Sequence, residues 1–237
     1  MRAIILAGGR GTRLKPYTTI LPKPLIPITD MPILEVVLRQ LRSRGFTRVT
    51  MAVGHLAELI QAYFGNGAKW GLHIDYSREE SPLGTMGPLK LIPDLPQHFL
   101  VMNGDILTDL LFDDFYRAHC GNDAIFTVAA YHRKVNIDFG VLQTNSHGDL
   151  IEFREKPNYE FDVSMGVYMV SRRALEYIPA GTPFGFDELM LRLIEQEEFP
   201  RVHRHEGYWL DIGREEDCVR AIQEFPEVKP KLLSEPD

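Results

Sequence analysis

The chain has few of the residues on which several classes of protein depend. Its 237 residues include two cysteines, Cys120 and Cys218, which lie far apart and show no Cys-x-x-Cys spacing. This pattern excludes a disulfide-rich secreted scaffold and a cysteine zinc site, and it favours free thiols in a reducing compartment. The cytoplasm is therefore the expected location.

Long apolar runs and an excess of positive charge are also missing. No segment approaches the length needed to cross a bilayer, and the amino terminus lacks the regions of a secretory signal. The formal net charge of −7 argues against a general nucleic-acid binder, whose surface would be basic. We therefore expect neither a membrane nor a nucleic acid as a partner.

The residues that are present have the composition of one globular domain. Apolar strand-like runs alternate with helix-like periodic segments in the first half, which is typical of parallel βαβ units. The length suits one α/β domain and is too short for two typical ones. We expect this domain to span residues 1–225, and residues 226–237, where proline and charge are frequent, to form a loosely held tail.

The second half departs from this alternation. Residues 139–143 and 150–155 are typical of hairpin arms, joined by the turn at residues 145–149. A strand pair is expected around residues 202–210, followed by a last helix from about residue 215 to residue 224. An antiparallel addition to the parallel sheet is therefore predicted.

The most informative segment follows the apolar opening strand. It reads Leu-Ala-Gly-Gly-Arg-Gly-Thr-Arg-Leu over residues 6–14, and Leu-Pro-Lys-Pro-Leu follows over residues 21–25. A glycine-rich turn at the carboxyl end of a strand presents backbone N–H groups that bind phosphate. Arg13 and Lys23 add two cations, and the prolines beside Lys23 restrict its backbone. The pattern favours a polyphosphate site over a simple tight turn.

Two familiar nucleotide-binding motifs do not fit this segment. No Gly-Lys-Ser/Thr closes the loop as it does in a P-loop, and Leu14 stands where a dinucleotide fingerprint has its third glycine. A kinase-like P-loop and an NAD-binding dehydrogenase domain are therefore disfavoured.

The segment at residues 6–14, with the Pro-Lys-Pro that follows, resembles the signature of the sugar-1-phosphate nucleotidyltransferases. The loop at residues 79–89 is similar to that of the mannose-1-phosphate guanylyltransferase branch, with Met86 in place of the usual Ala. The resemblance implies a three-layer α/β/α, Rossmann-like fold with a mixed, mainly parallel sheet. It also implies transfer of a nucleoside monophosphate from a nucleoside triphosphate to a sugar 1-phosphate, with release of pyrophosphate.

The implied reaction brings two polyanions together, so charge neutralisation and alignment are its main requirements. Asp105 and Asp211 each end an apolar strand, and by resemblance they are the ligands of Mg²⁺, the expected cofactor. Arg13 would stabilise the departing pyrophosphate, and Lys23 would lie near the α-phosphate. These four residues form the predicted catalytic set.

Two further sets of residues are predicted to bind the substrates. The nucleotide-binding set is Leu6, Ala7, Gly8, Gly9, Gly11, Thr12, Glu80, Gly84, Thr85 and Asn103. The sugar-phosphate set, which depends largely on the resemblance, is Gly140, Glu155, Lys156, Ser164 and Gly166. Many relatives carry Asn or Thr where Ser164 stands, so the identity of the sugar stays open.

GTP with a mannose-like 1-phosphate is the leading substrate pair. The nearest alternative is a dTTP-, UTP- or CTP-dependent enzyme that uses glucose 1-phosphate or another phosphorylated metabolite, since the loop at residues 79–89 separates these branches poorly. Another alternative is an inactive regulatory subunit that binds nucleotide sugars, and retention of Asp105 and Asp211 speaks against it. A homodimer is the working expectation, and the sequence does not determine the oligomeric state.

His203 and His205 alternate along a predicted strand, so their side chains would share one face. This spacing is compatible with chelation of a soft metal, but surface packing is the favoured interpretation.

Overall fold

The protein is described by a computed structural model that covers residues 1–233. The strands are β1 (Arg2–Ala7), β2 (Pro27–Ile28), β3 (Met31–Pro32), β4 (Arg48–Val53), β5 (His73–Arg78), β6 (His98–Asn103), β7 (Ile106–Thr108), β8 (Phe126–Asn136), β9 (Val141–Thr144), β10 (Leu150–Arg154), β11 (Asn158–Ser171), β12 (Arg201–His205) and β13 (Trp209–Asp211). The helices are α1 (Ile33–Ser43), α2 (Ala57–Phe64), α3 (Phe112–Gly121), α4 (Phe186–Glu195) and α5 (Glu215–Leu232). None of these helices is both long enough and apolar enough to span a bilayer, within the residues described.

Within residues 1–233, a seven-stranded sheet has the order β12-β8-β11-β6-β1-β4-β5. Strand β1 pairs in parallel with β4 and β6, β4 pairs in parallel with β5, and β8 pairs in parallel with β12. Strand β11 runs antiparallel to both β6 and β8. The predicted mixed, mainly parallel sheet is therefore confirmed.

The order of the strands reverses at β1, because β4 and β5 lie on one side of it and β6 lies on the other. In open α/β sheets, such a reversal opens a crevice at the carboxyl ends of the strands, and ligands bind there. The fold therefore predicts a ligand site at the residues that follow β1 and β6.

Strand β1 is buried on both faces, which explains why its sequence is apolar from Ala3 to Ala7. Ala3 and Ile5 belong to one hydrophobic core, and Ile4 belongs to another on the opposite face. The first core includes Leu38 of α1, Ile60 of α2 and Phe115 of α3, and the second includes Leu89, Ala174 and Leu193 of α4. Helical layers thus cover both faces of the sheet, as the predicted three-layer fold requires.

Helix α5 packs on a third core, which supports the short ribbon formed by β7 and β13. Ala221 and Phe225 of α5 share this core with Leu107 of β7 and Leu210 of β13. Helix α1 contributes Ile33 to it while its other face packs against the main sheet. The ribbon therefore rests on both α1 and α5.

The strand pair predicted around residues 202–210 is wrong. Strand β12 joins the edge of the main sheet beside β8, whereas β13 pairs antiparallel with β7 in a separate sheet. The two strands follow each other in sequence, but the turn at residues 206–208 carries the chain from one sheet to the other. Their proximity in sequence favoured a hairpin, but β12 hydrogen-bonds with β8 and β13 hydrogen-bonds with β7.

The last helix extends further than predicted. Helix α5 continues through Pro226 to Leu232, so residues 226–232 are helical and do not form the expected loose tail. Phe225 and Leu232 lie two helical turns apart on the same face, and both are buried in the third core. Their burial fixes the end of the helix. Residues 234–237 of the predicted tail lie outside the described residues.

Candidate active site

A cavity of about 560 Å³ lies at the carboxyl ends of β1 and β6, where the strand order reverses. Its volume is in the range typical of small-molecule sites. Every member of the predicted nucleotide-binding set lines it except Glu80, together with the predicted catalytic residues Arg13, Lys23 and Asp105. The other lining residues are Arg10, Pro24, Ala52, Glu79, Pro82, Pro88 and Gly104.

The glycine-rich loop that follows β1 is held by its neighbours. Gly11 has a φ of 58°, and a Cβ atom there would lie 2.8 Å from Cγ2 of Thr18. The hydroxyl of Thr18 donates a 2.8 Å hydrogen bond to the Gly11 carbonyl. Only glycine combines this positive φ with so close an approach, so the loop has a fixed shape.

Lys23 and Asp105 form an ion pair at the floor of the cavity. Their side chains are 14% and 17% exposed, so both charges are largely removed from water. The ion pair uses Oδ2 of Asp105, whereas Oδ1 is buried and has no hydrogen-bond partner among the described residues. Asp105 therefore keeps one oxygen that is suited to a further ligand.

Asp211 lies close to Asp105 because Asp211 ends β13 and pairs with Ile106, the residue that follows Asp105. The amide of Ile212 donates a 3.1 Å hydrogen bond to the Asp105 carbonyl, which ties the two segments together. Partial burial and the negative charge of Asp105 raise the pKa of Asp211, while Lys23 and Arg13 act in the opposite direction. Two carboxyl groups thus share one electrostatic environment.

The two carboxylates fit a hard divalent cation such as Mg²⁺, which prefers oxygen ligands. Over residues 1–233 no group of three or more histidine, cysteine or acidic side chains could hold a metal by itself. Mg²⁺ is usually held by one or two carboxylates together with substrate phosphates and water. Asp105 and Asp211 would therefore bind the metal together with a phosphorylated substrate.

Arg13 reaches the same region from the glycine-rich loop. A Cβ atom on Gly213 would lie 3.3 Å from Nη1 of Arg13, so the guanidinium packs against the segment that follows Asp211. The four residues of the predicted catalytic set therefore lie together, although the chain brings them from four separate segments. Their chemical roles remain predictions.

Glu79 lies at the cavity, where the sequence predicted Glu80. Oε2 of Glu79 accepts a 3.0 Å hydrogen bond from the Leu83 amide, and its side chain packs against the backbone of Gly8. Glu80 is exposed and does not line the cavity. Both glutamates lie beyond the end of β5, and the buried residue of that strand, Ile74, has the parity of Glu80, so side-chain alternation does not predict Glu79. The hydrogen bond between Glu79 and the Leu83 amide decides between them, and no signal in the sequence shows that contact.

The loop that contains Gly84 and Thr85 is held by the start of α4. Gly84 has a φ of 76°, and a Cβ atom there would lie 2.7 Å from the carbonyl oxygen of Phe184. The hydroxyl of Thr85 accepts a 2.8 Å hydrogen bond from the Phe186 amide. Met86 is fully buried in the second core, which explains a large apolar side chain at this position.

Ser164 and Gly166 lie at an irregularity in β11, where its pairing with β8 shifts register between Ser164 and Tyr168. Gly166 has a φ of 73°, and a Cβ atom there would lie 2.7 Å from Nδ2 of Asn103. Such irregularities often redirect side chains beside active sites. This part of the predicted sugar-phosphate set therefore adjoins the 560 Å³ cavity, which Asn103 lines.

The other members of that set lie on or beside the β9–β10 hairpin. A Cβ atom on Gly140 would lie 3.2 Å from Oε2 of Glu155 and 2.6 Å from the ring of Phe153. Lys156 follows β10 with a φ of 44°. The structure brings Gly140 and Glu155 together, but neither they nor Lys156 line the 560 Å³ cavity.

The two histidines of β12 have separate partners. The ring of His203 packs against Phe115, with 5.0 Å between ring centroids. Nε2 of His205 lies 2.8 Å from Oδ1 of Asp109. The packing interpretation is therefore confirmed for His203, whereas the His205–Asp109 pair was not predicted from the sequence.

The nucleotidyl transferase family model matches residues 2–227. The chain is 33% identical over 243 residues to a UTP–glucose-1-phosphate uridylyltransferase from Synechocystis sp., covering 94% of this chain and 63% of the relative. It is 32% identical over 239 residues to mannose-1-phosphate guanyltransferase beta-A from Xenopus laevis, covering 94% and 64%. The chain thus spans less than two thirds of the length of these curated relatives.

The fold is also similar to that of a solved structure, HddC from Yersinia pseudotuberculosis complexed with GMP-PN. The TM-score is 0.70 at 25% sequence identity, and the match covers 94% of this chain and 99% of HddC.

Proposed function

The chain belongs to the nucleotidyl transferase family, and from this premise we propose that it transfers a nucleoside monophosphate from a nucleoside triphosphate to a sugar 1-phosphate. An oxygen of the sugar phosphate attacks the α-phosphorus, and the bond from that phosphorus to the β-phosphate oxygen breaks. The products are a nucleoside diphosphate sugar and pyrophosphate. This reaction needs alignment and charge neutralisation more than a side-chain nucleophile.

The observation that carries this proposal is the convergence of Arg13, Lys23 and Asp105 at one cavity, with Asp211 close enough to interact electrostatically with all three although it does not line that cavity. Lys23 and Asp105 form an ion pair there, Arg13 packs beside Gly213, and Asp211 lies near Asp105. Arg13 and Lys23 would bind phosphate oxygens, and Asp105 and Asp211 would hold Mg²⁺. When bound, Mg²⁺ would neutralise the charge that develops on the phosphates.

We propose GTP and a mannose-like 1-phosphate as the substrate pair. The loop at residues 79–89 supports this pair, as do the guanyltransferase among the relatives and the GMP-PN complex of HddC. UTP with glucose 1-phosphate is the second candidate, and the Synechocystis relative favours it. dTTP and CTP complete the set of nucleotides to be compared.

An inactive nucleotide-sugar-binding subunit is the alternative from another class. Such a subunit needs a nucleotide pocket but has no need for two metal-binding carboxylates. Within residues 1–233, Asp105 keeps a buried oxygen that has no hydrogen-bond partner, which suits a metal ligand. This feature favours the catalytic role.

The cytoplasm is the proposed location, because Cys120 and Cys218 are both free thiols in the structure.

The homodimer stays a prediction, and light scattering on the purified chain measures the oligomeric state directly.

A pyrophosphate-release assay tests the proposed function. The four nucleoside triphosphates are combined with a panel of sugar 1-phosphates, with and without Mg²⁺, and mass spectrometry identifies the nucleotide sugar. We expect Mg²⁺-dependent turnover that is highest with GTP and mannose 1-phosphate. Asp105→Asn should lower the rate by about 100-fold or more, since metal positioning supplies several kcal/mol.

The matched control is Asp94→Asn, which changes an aspartate outside the cavity lining. Strong turnover with one non-mannose sugar would replace the substrate pair and keep the reaction class. Nucleotide-sugar binding without turnover on the whole panel would support the regulatory subunit instead.

A further inference from the structure

Asp109 joins the β7–β13 ribbon to the end of β12. It directly follows β7, and its Oδ1 accepts a 2.7 Å hydrogen bond from the Tyr208 amide. Nε2 of His205 lies 2.8 Å from the same oxygen, and since a carboxylate only accepts, this nitrogen is the donor. One carboxylate oxygen therefore fixes two points of the turn between β12 and β13.

The turn is packed closely against this carboxylate. A Cβ atom on Gly207 would overlap Oδ1 of Asp109. The backbone adds a 3.2 Å hydrogen bond from the Asp109 amide to the Tyr208 carbonyl. Asp109 is 21% exposed and His205 is 13% exposed, so water competes weakly for their interaction.

The ribbon that follows is short and carries the candidate metal ligands. Its register pairs Trp209 with Thr108 and Asp211 with Ile106. Asp105 lies at one end, where its carbonyl accepts a hydrogen bond from Ile212, and Asp109 lies at the other. A two-stranded ribbon of this length is marginal by itself, so the contacts at its ends help the buried Leu107 and Leu210 to hold the register.

A change of register would have a direct consequence for the site. Side chains alternate along a strand, so a slip of one residue moves each side chain to the opposite face. Asp211 would then point away from Asp105. The two carboxylates would no longer act on one cation.

We propose that Asp109 and His205 are a positioning pair that fixes the register of β13 and thereby the approach of Asp211 to Asp105. Neither residue lines the nucleotide cavity, so they act through the ribbon. The inference rests on the proposed function, because it assumes that Asp105 and Asp211 hold a divalent cation.

Metal binding by the full chain tests the proposal apart from turnover. Mn²⁺ replaces Mg²⁺, and the enhancement of water proton relaxation reports protein-bound Mn²⁺ in the presence of GTP and, in a second series, UTP. We expect Asp109→Ala to weaken Mn²⁺ binding by about tenfold, in the range found when partners that orient metal ligands are removed. Asp109→Asn keeps Oδ1 as an acceptor and should bind Mn²⁺ within about twofold of the wild type.

His205 variants keep the test valid if Asp109→Ala fails to fold. His205→Leu removes the donor at similar volume and should weaken Mn²⁺ binding by about threefold or more. His205→Gln restores a donor at the same reach and should recover the affinity. In steady-state assays, both disruptive changes should raise the Mg²⁺ concentration for half-maximal rate more than they raise the KM of the nucleotide.

The matched control is another Asp–His pair on the far edge of the sheet. Nε2 of His73 lies 3.0 Å from Oδ1 of Asp75 on β5. Asp75→Ala and His73→Leu remove the same kind of contact and should leave Mn²⁺ binding unchanged.

Three results would overturn the positioning role. These are wild-type Mn²⁺ affinity in folded Asp109→Ala, wild-type affinity in His205→Leu, and equal losses in the Asp75 and His73 controls. A wild-type protein that binds no Mn²⁺ with either nucleotide would remove the proposed function as well. That result is distinct from a failure confined to the variants.

Discussion

Nζ of Lys23 forms an ion pair with Oδ2 of Asp105. The sequence predicted Lys23 as a phosphate ligand and Asp105 as a metal ligand, and the structure joins them directly. Each charge offsets the other while both are largely buried. If the proposed roles are correct, binding of a phosphate and a metal would redistribute this existing ion pair.

Replacing Lys23 should reduce both stability and activity. Lys23→Met leaves Asp105 without its cation beside Asp211, and the cost should be about 1–3 kcal/mol in the free energy of unfolding. The rate should fall by about 100-fold because a donor to the reacting phosphates is lost. Urea unfolding and initial rates measure the two effects. The control is Lys15→Met, which changes an exposed lysine just after the glycine-rich loop. It should change neither the free energy of unfolding nor the rate.

Asp211→Asn should abolish turnover and stabilise the metal-free protein. Partial burial and the charge of Asp105 raise the pKa of Asp211, so the folded state binds the proton of Asp211 more tightly than the unfolded state does. Ionised Asp211 therefore destabilises the fold at neutral pH, and a neutral amide removes that effect. Thermal unfolding with EDTA should give a higher Tm at pH 7. The difference should shrink as the pH falls and Asp211 itself becomes protonated, and a lower Tm at pH 7 contradicts this account.

Gly166→Ala should impair nucleotide binding through Asn103. The new Cβ atom would lie 2.7 Å from Nδ2 of Asn103 and 2.6 Å from Cδ1 of Ile106, so Asn103 must move. Gly148→Ala is the matched control, because Gly148 also has a positive φ but has open space around it. Both changes carry about 1–2 kcal/mol of backbone strain. Only Gly166→Ala should raise the KM of the nucleotide, and equal KM values would contradict the prediction.

Glu79 and Glu80 should differ sharply in their effect on the nucleotide. Glu79→Ala removes the acceptor of the Leu83 amide and the side chain that packs on Gly8, so the cavity wall loses its support. We expect the KM of the nucleotide to rise by about tenfold, the equivalent of about 1.4 kcal/mol. Glu80→Ala changes an exposed neighbour and should leave the KM within about twofold of the wild type. A larger rise in KM for Glu80→Ala than for Glu79→Ala would support Glu80 as the nucleotide-binding residue, as the sequence predicted.

The stability of the protein should fall as the pH is lowered from about 6.5 to about 4, and His119 is one cause. His119 is 1% exposed, and its Nδ1 lies 2.8 Å from Oγ1 of Thr127. Burial lowers its pKa to about 4, so the unfolded chain takes up a proton in this range while the folded chain does not. The contribution is complete above about pH 6.5 and amounts to at most about 3 kcal/mol.

The variant His119→Phe tests this contribution. Urea unfolding between pH 4 and pH 7 should show a smaller loss of stability at low pH than in the wild type, whatever the stability of the variant at pH 7. His147→Gln, in an exposed turn, should keep the wild-type slope. An unchanged slope in His119→Phe would assign the pH dependence to other groups.

Much of the fold could be predicted because the relevant patterns are local. The apolar run at residues 3–7 indicated a strand, and in the structure Ile4 and Ile5 of that strand lie in opposite cores. The alternation of apolar runs and periodic segments in the first half matches the parallel strands β1, β4 and β5, with α1 and α2 between them. The partner of β13 could not be predicted in this way, because β7 is short and lies far away in sequence.

The sequence by itself determined that a glycine-rich turn follows a buried strand, that cations stand at fixed offsets from it, and that Asp211 ends a strand. Each of these features depends on the backbone conformation of only a few neighbouring residues. Asp105, which was predicted to end a strand, lies instead in the turn between β6 and β7. The tertiary structure alone decided that Lys23 pairs with Asp105, that Glu79 and not Glu80 lines the cavity, and that Asp109 fixes the turn before β13. These contacts depend on strand order and register, which distant segments set together when they bury a shared core.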